Sequence, residues 1–253
     1  MPVDAGDDRH IHAAESAVGT DDAGSIADEF LSVLASNWVT AMEPHLAALA
    51  ALASPSAPEA HEVSHPENAH AVAVATMLAF ALESNAGRLA ALGRVPADTR
   101  PDAGALEVIK EVLAENRQDP GPVIELFVLR DVIVHDHIWE IRLRRAPDWS
   151  SASLVSAELR RGRTSGKYAD VVVDEGTNRT SQLRLHLVPT EVRRWDIARL
   201  FPAACAAFDA LAARDVANMR SLADQRVRIP GHRPASLRDV VPFLQVQQED
   251  RPQ

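Results

Sequence analysis

The sequence predicts a mainly α-helical bundle carrying a small inserted antiparallel β element at about residues 150–188. Three observations carry that prediction. Aromatic residues are 4% of the chain while 46% is hydrophobic, so the core must be Leu, Val, Ile and Ala, the composition of packed helices. Apolar residues recur near every 3.6 positions in four stretches before residue 145. From 150 to 188 that spacing gives way to short β-branched or alternating runs separated by Gly, Ser and Asn turns.

Taken in order, residues 1–24 are polar, acidic and aperiodic and read as a disordered tail. Ser25-Ile-Ala-Asp28 resembles a capping box and opens a helix through Phe30, Leu34, Trp38, Met42 and Leu46. Pro55 to Pro66 is a Pro/His/Glu-rich loop, and Pro66 suits the first position of a second helix ending near Gly93. Leu106, Ile109, Val112 and Leu113 mark a third helix. Asp119-Pro-Gly-Pro122 starts a fourth, expected to run through the nearly continuous apolar stretch Val123 to Leu143. Leu154–Leu159, Tyr168–Asp174 and Gln182–Val188 are the expected strands. Helix resumes at Thr190 with a break expected near Pro202, so the helical domain spans 25–228. Residues 229–253, rich in Pro and Gln, read as an irregular tail.

Composition also bounds function. No apolar run approaches the length of a membrane span, and the N-terminus has no secretion signal, so a cytoplasmic protein without membrane contact is expected. The one cysteine, Cys205, reads as a small buried hydrophobe. Net charge is −10, yet residues 142–199 hold twelve Lys/Arg against seven Asp/Glu. Arg160, Arg161, Arg163 and Lys167 stand there near Trp149 and Tyr168, an interleaving that suits RNA phosphates and bases. Solvated strand faces and core tryptophans explain the same residues.

His61-Glu-Val-Ser-His65 matches a zinc-protease motif that works only on a helix. Pro58 and Pro66 bracket it in a loop, so no metal is expected there. His135-Asp136-His137 would suit a metal on a strand, but a helix turns residues two apart to opposite sides. No cofactor is expected.

Arg130 and His135 carry different chemistry. On a helix they lie about 7.5 Å apart along the axis, within reach of one phosphodiester although not on one face. Arg offers a planar fork to phosphate oxygens, and His exchanges a proton near neutrality. On spacing alone, an Arg and His satisfied within the bundle by Asp131 or Glu83 is the commoner arrangement.

The segment Leu129-Arg-Asp-Val-Ile-Val-His-Asp-His-Ile-Trp139 resembles the signature of HEPN proteins: Arg, a polar residue, three mostly apolar residues, then His. Arg130, Asp131 and His135 fill those places, and Glu83 resembles an acidic residue many members carry on the preceding helix. The resemblance implies a helical bundle, a homodimer that joins two motifs, and metal-independent cleavage of RNA. Arg130 would hold the phosphate, His135 would move the proton, and Asp131 would orient them, with His137 and Glu83 in support. It further implies a toxin–antitoxin or antiviral setting with an antitoxin or defence partner. A catalytically silent module that binds RNA or a partner protein is the alternative. The β insertion and acidic tail depart from the minimal family pattern.

Overall fold

The computed structural model describes residues 23–52, 63–134, 139–145, 152–159, 173–174, 177–215 and 220–245. It is mainly helical, as the composition predicts. α1 (Ala23–Ala51) and α2 (His65–Ala91) form a long pair, followed by α3 (Ala105–Glu115) and α4 (Gly121–Val134). The hairpin β1 (Trp139–Arg145) and β2 (Ala152–Leu159) comes next, then a two-residue pair, β3 (Val173–Asp174) and β4 (Arg179–Thr180). α5 (Arg194–Arg214), a small pair β5 (Arg226–Val227) and β6 (Ala235–Ser236), and α6 (Val241–Leu244) complete the order. Of the tail expected over 1–24, Ala23 and Gly24 already belong to α1, and residues 1–22, like 53–62 with His61 among them, lie outside the described residues.

α2 is the hub, packing against α1, α3, α4 and α5. By length and composition alone it could cross a membrane. Its apolar face is instead consumed by the bundle, with Val74, Leu78, Leu82 and Leu89 fully buried. The start matches the local signals: Ser64 caps it by accepting from the Glu67 amide at 3.4 Å, and Pro66 sits in the first turn. His65, expected in the bracketing loop, is instead the first helical residue, with Ser64 before it extended, because the Ser64 cap sets the helix start one residue ahead of Pro66.

Four expectations need correction. α4 ends at Val134, and Trp139–Arg145 is a strand where helix was expected to Leu143. Trp139, Ile141 and Leu143 alternate with Glu140, Arg142 and Arg144, and that period of two pairs antiparallel with β2, Trp139 opposite Leu159. The β insertion thus begins near 139. Secondly, 182–188 is not a strand. Its Gln182 and Leu183 amides donate to the Glu125 carboxylate at 2.6 and 2.8 Å, and Arg184 has a left-handed φ of 57°, so only His186 bridges to Arg179. Thirdly, α5 runs unbroken through Pro202. That proline is exposed, and the helix gives up one backbone hydrogen bond there without ending.

Finally, residues 229–245 are non-repetitive for the most part yet dock on the bundle, burying Ile229, Leu237, Val240 and Leu244. Arg194 explains why. It is 5% exposed, and a buried guanidinium needs acceptors. It donates to the backbone carbonyls of Leu244, of Phe243 at 2.6 Å and of Leu49 at 3.0 Å.

Candidate functional site: the Arg130 cleft

Arg130 lies on the penultimate turn of α4, and its side chain is 17% exposed. Its Nη2 donates to Glu83 Oε1 on α2 at 2.7 Å. Its Nε lies 2.9 Å from Asp131 Oδ1, an ion pair without the alignment of a hydrogen bond. The Phe127 and Phe80 rings flank the guanidinium at 5.4 and 6.0 Å, which adds a cation–π component and fixes the plane of the fork. Nη1 has no partner among the described residues. Glu83, Asp131 and Arg130 are thus brought together, and the two carboxylates leave the trio at a net charge of −1.

The trio lines an open cleft of about 380 Å³ shared with Arg100, Glu107 and Leu106 at the start of α3. Arg100 is exposed there, and nothing in its sequence surroundings singled it out. A second cleft of about 390 Å³ lies against α5. Its cation, Arg199, is spent on the carbonyls of Leu183 and Arg184, and no His or Cys lines it, so it offers less chemistry.

His135 and His137, as well as Arg160, Arg161, Arg163 and Lys167, lie outside the described residues. The last described residue of α4 is Val134, half exposed. Among the described residues there is no group of three or more His, Cys, Asp or Glu that could hold a metal.

Two buried polar clusters passed unnoticed in the sequence. Asp196 accepts from the His186 and Arg193 amides at 3.1 and 2.9 Å, and His186 Nδ1 stands 3.0 Å from its Oδ1. Its place at the third position of α5 was the available signal, since Asp there closes a capping box. Asp215 sits between Arg88 at 2.7 Å and Arg94 at 2.5 Å, joining the ends of α2 and α5. The first cluster is buried and the second is buried at Arg88 and Asp215 but open at Arg94, and both hold elements together. Cys205 is buried, and burial pushes its thiol up to about 12, which removes it as a nucleophile.

Comparison with known proteins finds no matching family model, no matching curated protein and no matching solved structure.

Proposed function

We propose that the protein is a metal-independent endoribonuclease of the toxin or antiviral type, acting in the cytoplasm as a homodimer. The observation that carries this reading is the posture of Arg130. Its guanidinium is held in plane by Glu83, Asp131 and two phenylalanines at the wall of an open cleft, with Nη1 uncommitted among the described residues. Such an arrangement suits a preset phosphate contact. Arg130 holds a nonbridging oxygen of the scissile phosphate. His135 takes the proton of the ribose 2′-hydroxyl, which attacks phosphorus and expels the 5′-oxygen. The second protomer's copy of His135 protonates that leaving oxygen. The products are a 2′,3′-cyclic phosphate and a free 5′-hydroxyl.

The competing reading, a silent module that binds RNA or a partner, is favoured by one specific feature: two carboxylates already oppose the guanidinium. Labelled single-stranded RNA incubated with the protein in excess EDTA separates them. Cleavage that leaves a cyclic phosphate and disappears in His135→Ala, with RNA affinity retained, is the expected result. Glu83→Gln tests the role of the carboxylate. It should tighten RNA binding about 2–10-fold at low salt by removing a negative charge, and slow cleavage by freeing the fork to rotate. RNA binding without any cleavage selects the silent module. Cleavage untouched by His135→Ala overturns the mechanism.

A further inference from the structure

We infer that His45 and His70 form a two-imidazole site for a late first-row divalent cation of the Cu²⁺ and Ni²⁺ class, bridging α1 and α2. The two Nδ1 atoms stand 3.0 Å apart. The ring centroids are 5.3 Å apart and the planes inclined by 55°, so both Nδ1 atoms lie between the rings and face one another. Imidazole nitrogens bind such ions at about 2.0–2.1 Å. At that bond length, ligands with this separation subtend an angle of about 90° at the ion. That is the cis angle of the tetragonal geometry Cu²⁺ and Ni²⁺ favour, whereas a tetrahedral ion calls for a wider pair.

Without the ion, one Nδ1 carries a proton and donates it to the other. Binding moves that proton to Nε2 of the same ring, with no net change in charge on the pair. Both rings tilt off the line joining them so that their lone pairs meet at the ion. Among the described residues neither ring has a hydrogen bond other than their mutual one, so the tilt breaks no further hydrogen bond. Both residues are half-buried, and water completes the shell on the open side.

His65 of the zinc-protease motif has no share in this site. His65 precedes His70 by five positions of α2 and so points about 140° away from it. Because α1 and α2 come together only in the folded bundle, the ion binds the native state and stabilises it.

The test is thermal denaturation and calorimetric titration of the full chain with NiCl₂ and CuCl₂. One equivalent should bind, and at tenfold excess over Kd the Tm should rise by roughly 3–6 °C. His45→Ala and His70→Ala should each abolish the rise, while the double change His61→Ala with His65→Ala should keep it. If either single variant fails to fold, the Cu²⁺ spectrum of the wild type decides, since two equivalent imidazole nitrogens give a distinct hyperfine pattern. Absence of any Tm shift, a shift that survives both single variants, or a spectrum without two imidazoles would overturn the assignment.

Discussion

His45 titrates against two influences: partial burial, the larger, and the charge of His70. Both lower its proton affinity below the ordinary 6.5. The unfolded chain therefore binds more protons at this residue than the folded one in mildly acidic solution. Stability from the pair is complete above about pH 6.5 and declines as pH falls through the lower folded value. Of the charged groups nearby in the fold, Glu67 accepts from the Arg194 amide at 3.1 Å. Arg194 itself is spent on carbonyls, and Glu43 precedes His45 by two residues on α1. Urea midpoints measured from pH 7.5 down to 5 should fall, and His45→Gln should flatten that part of the profile. A profile identical in the variant would mean His45 has no part in it. The Arg130–Asp131 pair and the approach of Glu83 were legible in the sequence, because the motif names two of them and α2 supplies the third at a suitable place. The His45–His70 contact was not, since the two lie 25 positions apart on different helices and neither side carries a motif.

Among elements, α4 shows where a pattern misleads. Its unbroken apolar run suggested helix to Leu143, and the two-residue alternation that starts at Trp139 was outweighed by sheer hydrophobicity. Periodicity decides such cases, because a helix and a buried strand can share one composition. Segment 182–188 misled in the opposite sense. Its residues alternate like a strand, but Glu125, fully buried on α4, takes two of its backbone N–H groups and the Ser181 hydroxyl. A carboxylate 57 residues earlier thus overrides local preference, and no local reading detects it. Glu125→Ala leaves those amides without an acceptor and should destabilise the protein by about 2–4 kcal/mol in chemical denaturation. Glu125→Gln retains an acceptor and should lose less. Equal losses in the two variants would show that packing around the side chain, rather than its oxygens, holds the segment.

For the molecule as a whole, the helical class and the order of its helices follow from spacing and caps that the chain displays openly. The docking of residues 229–245 does not, because its cause is a buried Arg194 seeking carbonyls about 50 positions away. Removing residues 229–253 would strip the cover from Val227 and leave Arg194 with most of its acceptors gone. Such a chain should lose more than about 10 °C in Tm, since several kcal/mol of burial and pairing disappear together. An unchanged melting curve would mean that the segment rests on the bundle without supporting it. The Arg194 clasp also orders events during synthesis. α1, α2 and α5 have all been made before Phe243 and Leu244 exist, so a growing chain carries a cation at its centre with two of three acceptors still to come. A chain that stops short of residue 243 leaves Arg194 with one of these three carbonyls, that of Leu49.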